Sequence, residues 1–186
     1  MVNEQQSAKA VELMIAYQAG HIEAFESLYR ILQPVLFQYL LYKTYNHARA
    51  EDLLQESFLQ MHRSRSSYLP DKPVLPWAFA IARNVYLMDQ RARQRRYKHE
   101  TSADSGLPDV TLPPELEHIA ERQALRQALS QLDPGQREII LMHHFWGLSF
   151  HEIAGVIGIR RGAAKLRAHR AIKSLRTILK VPPETG

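Results

Sequence analysis

Between Gly158 and Lys180 the chain carries Arg160, Arg161, Lys165, Arg167, Arg170, Lys173, Arg176 and Lys180, with no acid among them. A second basic block, from Pro76 to Lys98, holds Arg83, Arg91, Arg93, Arg95, Arg96 and Lys98, with Asp89 as its sole acid. Cations at this density neutralise phosphates and release the counterions condensed on a nucleic acid. One such block is more often a solvated helix face. Here, however, the two blocks flank an acidic stretch, His99 to Glu121, that contains Glu100, Asp104, Asp109, Glu115, Glu117 and Glu121 and no lysine or arginine. That alternation points to two separate contacts with phosphate backbone.

The second block also has a local architecture. Ser149 with Glu152 three residues on forms a capping box, and Phe150, Ile153, Ala154 and Ile157 give the short helix an apolar face. Gly158 supplies a turn, and a basic helix follows. A short capped helix, a glycine turn and a basic second helix make a helix-turn-helix, whose second helix enters the major groove with its N-terminal residues at base edges. On that helix Ala164, Ala168, Ala171, Leu175 and Ile178 fall inward at helical spacing. Lys165, His169 and Arg170 then point outward, with Arg160 and Arg161 at the entrance. Other chemistries find no footing. His151-Glu152 begins like a zinc-protease motif, but Gly155 stands where the second histidine belongs. Gly158 to Lys165 lacks the spacing and the preceding strand of a phosphate loop. His143-His144 reads as an ordinary, partly buried pair. With no nucleophile–base pairing, no metal site and no cofactor motif, the sequence reads as a binding protein rather than an enzyme.

The elements that must position these residues are helical nearly throughout, because apolar residues recur at helical spacing and strand signals are almost absent. Val11, Met14, Ile15 and Gln18 mark a helix that stops near Gly20. Ile22, Phe25, Leu28, Tyr29, Leu32, Leu36 and Leu40 continue the pattern, with Pro34 expected to kink or split it. Tyr45-Asn46-His47 is a polar break. Leu53, Leu54, Phe58, Met61 and His62 follow in a helix expected to open with Glu51 and Asp52. Pro70, Pro73 and Pro76 impose a loop, and Pro76 suits the first turn of a helix running through about Arg96 by way of Trp77, Ile81, Val85 and Met88. Thr101 to Pro114 reads as a flexible linker, with a reach of roughly 45–50 Å at about 3.3–3.6 Å per residue. Beyond it, Ile119, Leu125, Leu129 and Leu132 predict a helix stopped by Asp133-Pro134-Gly135, then a helix from Arg137 to Phe145 broken by Gly147. The expectation is an all-α chain of two small helical domains, 1–98 and 115–186, joined by a linker at 99–114.

Specific segments sharpen this. Leu129-Ser130-Gln131-Leu132-Asp133-Pro134, Arg137-Glu138-Ile139-Ile140-Leu141 and Gly147 to Ala154, continued by Gly158, Gly162, Lys165, Arg167, Arg170 and Ala171, resemble region 4 of bacterial RNA polymerase sigma factors. Arg160 stands where the family commonly has proline, Ala163-Ala164 where it has Thr-Val, and Leu166 where it has serine. Ala24 to Tyr29 is similar to the opening helix of sigma region 2. Ala50 to Phe58 is similar to the family's polymerase-binding helix, and Pro76-Trp77 with Ile81 to Asn84 and Asp89 to its −10 segment. The lack of regions 1 and 3 points to the minimal extracytoplasmic-function type of the sigma-70 family. The resemblance implies that Asp52, Gln55 and Glu56 dock on the clamp of the β′ subunit of core RNA polymerase, with a further contact to the β flap. It implies a −10 contact by Asp71, Arg83, Asn84 and Arg91, with the loop Leu69 to Pro73 capturing a flipped base. It implies a −35 contact by Arg160, Arg161, Lys165, Leu166, His169 and Arg170, and control by an anti-sigma factor. Of the aromatics near the first basic block, Trp77 and Phe79 read as core, and Tyr68, in the loop, as the group that stacks on an unpaired base.

The 186-residue bulk agrees. A formal charge of +5 with 45% apolar residues suits a soluble partner of a polyanion. Absence of cysteine excludes disulfides, thiolate zinc sites and thiol sensing. No run long enough to cross a bilayer and no signal-peptide layout is present, so a cytoplasmic protein without membrane insertion is expected. Two rivals compete. A repressor or activator using only the helix-turn-helix leaves Asp52, Gln55, Glu56 and the first basic block unexplained. A sigma mimic that sequesters an anti-sigma factor would normally carry a receiver domain and would lose the DNA-binding charge retained here.

Overall fold

The computed structural model describes residues 4–97 and 119–179, which belong to two compact units. The expected linker lies outside the described residues. Every regular element among them is helical.

The first unit contains α1 (Glu4–Gln18), α2 (Ala24–Thr44), α3 (His47–Ser64), a single 3-10 turn (Arg65–Ser67) and α4 (Val74–Tyr97). Each of α1, α3 and α4 packs on α2, and α4 also packs on α1 and α3. Leu28, Leu32, Leu36, Tyr39 and Leu40 therefore line a fully buried face of α2. Tyr39 meets Phe79 of α4 edge-on at 5.2 Å, and Met14 of α1 closes the same core. Gly20, at φ +103°, ends α1 in a conformation that glycine adopts without strain.

Two sequence expectations for this unit are corrected. The split expected at Pro34 does not occur, as α2 is one continuous helix through it. Pro34 is exposed while Leu32, Val35 and Leu36 are buried. The missing N–H thus costs about 3 kcal/mol, which the apolar burial on both sides of the proline outweighs. Helix α3 begins a turn earlier than Glu51. Asn46 is its N-cap, accepting from the backbone N–H of Arg49 at 2.9 Å. A side-chain cap satisfies an otherwise orphaned N–H, so it fixes the start more firmly than the acidic pair does.

The second unit contains α5 (Ile119–Ser130), α6 (Pro134–Ile140), α7 (Phe150–Ile157) and α8 (Arg161–Ile178). Helix α6 widens into a π turn over Leu141–Phe145. Helices α5, α6 and α7 all pack against α8. Asp133-Pro134-Gly135, expected only to stop a helix, also starts one. Asp133 accepts from the backbone N–H groups of Gly135 and Gln136 at 2.9 and 3.2 Å, with Pro134 at the first helical position. Arg137 is buried and donates to the carbonyls of Ser130 and Leu132 at 2.6 and 3.2 Å. One guanidinium so satisfies acceptors left over at the end of α5.

Candidate nucleic-acid interfaces

Helix α3 brings Asp52, Gln55 and Glu56 to one face, as residues three and four apart must be. Asp52 and Gln55 are exposed and Glu56 is half-buried. The Glu56 carboxylate accepts from the Gln60 amide at 2.7 Å and lies 3.8 Å from the Arg63 guanidinium. Leu59 stands on the same face, 51% exposed, so that face presents an apolar side chain beside the acidic ones.

On α4 the residues Asn84, Met88, Arg91 and Arg95 are exposed and, at three- and four-residue steps, form one outward stripe. Arg83 is half-buried a quarter-turn away. Asp89, the acid of this block, pairs with Arg49 of α3. The Arg49 Nε–H donates to its Oδ2 at 2.8 Å, and a second, shorter bond from the same guanidinium completes the pair. Both side chains are mostly enclosed, 20% and 29% exposed, so the pair staples α3 to α4. It also removes the one negative charge that would offset the stripe. Position alone marks Asp89 as an acid among bases, and nothing in the spacing identifies Arg49 as its partner.

The loop Leu69 to Pro73 is exposed at every residue. Its base is held tightly. The Gln18 side-chain amide donates to the carbonyls of Arg65, Ser66 and Tyr68 at 3.0, 3.3 and 3.0 Å, which ties α1 to the loop's entry. Gln18 is a positioning residue that the sequence reading treats only as part of a helix. Lys72 bridges to Asp71 at 3.0 Å, and its hydrogen bond holds the exposed Asp71 carboxyl below the usual carboxylate range. The placing of Tyr68 as a base-stacking group does not fit the structure. Tyr68 is 2% exposed, its hydroxyl donates to the Lys72 carbonyl and its ring meets Trp77 edge-on at 5.4 Å. Burial, with the charge of Asp71, pushes its hydroxyl pKa up. Between the two aromatics Trp77 is the less buried, the reverse of the expectation. The hydrophobic value of a large ring at the base of a tight loop decides the matter.

The helix-turn-helix is built as its sequence predicts. Ser149 Oγ accepts from the Glu152 N–H at 3.3 Å and Glu152 accepts from the Ser149 N–H at 2.7 Å, completing the capping box. Gly158 closes α7 in the left-handed region at φ +72°, where a Cβ would be strained. Ala164, Ala168 and Ala171 are buried, whereas Arg160, Arg161, Lys165, Leu166, Arg167, His169 and Arg170 are exposed. The sequence alone does not foresee the buttress behind α7. His143, on the π turn, stacks on Phe150 at 4.2 Å between centroids and donates from Nδ1 to the Leu148 carbonyl at 2.8 Å. The His143 and His144 rings meet edge-on at 4.9 Å. Partial burial, then the neighbouring His143, lowers the His144 pKa.

The described residues thus divide between two units, with exposed acidic and amide groups on α3 and exposed basic groups on α4 and α8. Comparison with known proteins agrees with that division. Residues 28–96 match the Sigma-70 region 2 family and residues 122–175 match Sigma-70, region 4. The RNA polymerase sigma factor CarQ of Myxococcus xanthus is 36% identical over 89% of this chain and 95% of its own. The ECF RNA polymerase sigma factor SigL of Mycobacterium tuberculosis is 31% identical over 87% of this chain and 92% of its own. Among solved structures, the sigma factor RpoE in complex with the anti-sigma factor NepR, from Bartonella quintana, aligns with a TM-score of 0.70 at 25% identity. That alignment covers 86% of this chain and 98% of RpoE.

Proposed function

Since the chain belongs to the RNA polymerase sigma factors of the extracytoplasmic-function type, we propose that its two units divide promoter recognition as their exposed surfaces suggest. In the first, Asp52, Gln55 and Glu56, with Leu59 beside them, dock on the β′ clamp of core RNA polymerase. Asn84, Arg91 and the exposed loop at Asp71 face the −10 element, with Arg83 supporting them from its half-buried position. In the second, α8 enters the major groove of the −35 element, led by Arg160, Arg161, Lys165, Leu166, His169 and Arg170, while the unit rests against the β flap. We place the two domains at 1–98 and 115–186, limits that enclose the family matches at 28–96 and 122–175.

The observation that carries this reading is the outward stripe on α4 together with that on α8, one basic helix in each unit. A single-site repressor needs only the second. An initiation factor that opens DNA needs a duplex-binding surface and a strand-holding one. The protein works by binding, catalysing nothing itself, and acts in the cytoplasm, where the polymerase and its promoters are. No described helix is long and apolar enough to cross a membrane. An anti-sigma factor is the expected inhibitor, because the RpoE relative is described in complex with one.

Run-off transcription with core polymerase and this protein tests the reading. Promoter-dependent transcripts are expected, and operator binding without any polymerase effect would leave only a repressor. Asp52→Arg combined with Glu56→Arg should weaken polymerase binding by roughly two orders of magnitude, because like charges brought together at an interface cost several kcal/mol. Circular dichroism should show the helices intact, since both residues are at least partly exposed. Unchanged pull-down by β′ would remove α3 from the interface. Ala at Asn84 or Asp71 should impair strand opening, read by permanganate footprinting, more than polymerase binding.

A further inference from the structure

The outward face of α8 is basic except at its middle. At about 100° per residue, Leu166 falls almost diametrically opposite Ala164, Ala168 and Ala171, which are buried. It is 50% exposed, flanked on the same face by Lys165, His169 and Arg170. A single exposed leucine is common on protein surfaces, but this one stands among cations on the face that the helix-turn-helix turns to DNA, where it can make an apolar contact that they cannot. The partner surface that Lys165 and Arg170 select is nucleic acid. A second feature of the same face agrees. Gly162 lies one turn earlier, and a Cβ added there would meet nothing within 4 Å. Packing within the unit therefore does not require glycine at this position. Side chains on a helix lean toward its N-terminus, so Leu166 lies over the bare turn at Gly162. That turn is at the end of α8 that enters the groove first, where base edges are read.

A leucine has no donor or acceptor for a base edge. The one apolar group that a base pair presents in the major groove is the thymine 5-methyl. We propose that Leu166 is a specificity-determining residue that packs on a thymine methyl group in the −35 element, so that the promoters of this protein carry thymine at one −35 position. The inference rests on the reading of α8 as the −35 helix and adds the chemical identity of one base. Lys165, His169 and Arg170 then supply phosphate and purine contacts around a single apolar one. Replacing Leu166 by serine would exchange that methyl contact for a hydroxyl that hydrogen-bonds to several base edges with little preference.

The test uses the reconstituted holoenzyme on a promoter that it selects from a library with randomised −35 positions. Thymines of the selected −35 element are replaced one at a time by uracil, which removes only the methyl. At one position the wild-type holoenzyme should lose about fourfold in promoter affinity, the equivalent of about 0.8 kcal/mol for one buried methyl-sized group. Holoenzymes with Leu166→Ala or Leu166→Ser should bind the thymine and uracil promoters alike. Lys165→Ala and Arg170→Ala should weaken binding to the −35 element severalfold while keeping the thymine preference at that position. A selected element without thymine, or indifference of the wild type to every uracil, overturns the inference while the −35 reading stands, provided Lys165→Ala and Arg170→Ala still weaken binding to the −35 element. If those two variants bind it undiminished, the reading of α8 itself fails and the inference falls with it.

Discussion

Behind α4 stand Leu28, Leu32, Leu36, Tyr39 and Leu40, a column of large side chains on α2, with Arg49 and Asp89 stapling α3 alongside. The fully enclosed residues of α8 are the alanines 164, 168 and 171. On α4 itself the first unit also buries bulky side chains, Val74, Phe79, Val85 and Tyr86, beside Ala78 and Ala82. The second unit draws its basic helix in close against α5, α6 and α7, because small side chains shorten the distance between helix axes, and it fixes the angle with helix-end chemistry at Asp133, Arg137, Ser149, Glu152 and Gly158. Volume lost from the first should therefore be costly, and volume added to the second should be. The difference suits the two tasks. A strand-holding surface needs a broad platform, while a groove-reading helix needs a fixed angle.

The largest effect that separates these designs is expected from Leu36→Ala. Large-to-small changes at fully buried leucines cost about 2–5 kcal/mol, and hydrogen exchange should show the loss in residues 4–97 alone. Protection lost equally from both units would mean that they are not separately held. Next comes Ala168→Leu, which inserts volume where α8 meets its neighbours and should cost about 1–3 kcal/mol in the second unit. A tolerated leucine, with −35 binding unchanged, would break the close-approach account. Ser149→Ala removes one side of the capping box and should cost about 1 kcal/mol. Its more informative readout is −35 affinity, because a frayed α7 misaims α8.

The smallest effect is a pH dependence. The His144 pKa is lowered in the folded protein by partial burial and by His143. The unfolded chain then binds more protons than the native one below the ordinary histidine range. The contribution is fully present above a pH of about 6.5 and is lost as pH falls through the lowered value. Denaturant midpoints of the second unit, measured from pH 7.5 down to 5.5, should decline more steeply in the wild type than in His144→Gln. Parallel declines would assign the dependence to other groups.

Much of this was legible in the residue pattern, and the exceptions share a cause. Periodicity located the helices, and local rules found the capping box at Ser149 and the turn at Gly158, because both depend on residues a few positions apart. The same rules do not foresee that α2 stays unsplit at Pro34 or where α3 starts. In each case a distant or competing contact decided the outcome, namely burial of Leu32, Val35 and Leu36 at Pro34 and the Asn46 cap at α3. Within the candidate surfaces the exposed groups on α3 and α8 came from helical spacing. The Arg49–Asp89 pair, the Gln18 clamp and the His143 buttress join residues distant in sequence or meet at a π turn, which spacing does not encode. A loop position predicts an exposed Tyr68, because loops are usually wet, whereas its ring is buried as the floor on which the loop is built.

The buried side of α8 asks little of the rest of that helix. Three alanines are buried and Ile172, Leu175 and Ile178 half-buried along it, while the outward residues Lys165, Leu166, Arg167, His169 and Arg170 are all exposed. Those positions are thus free to drift without unfolding the unit. A lineage carrying this scaffold can duplicate it and retarget the copy to a new set of genes by changing surface residues alone, with selection on stability nearly silent along the way.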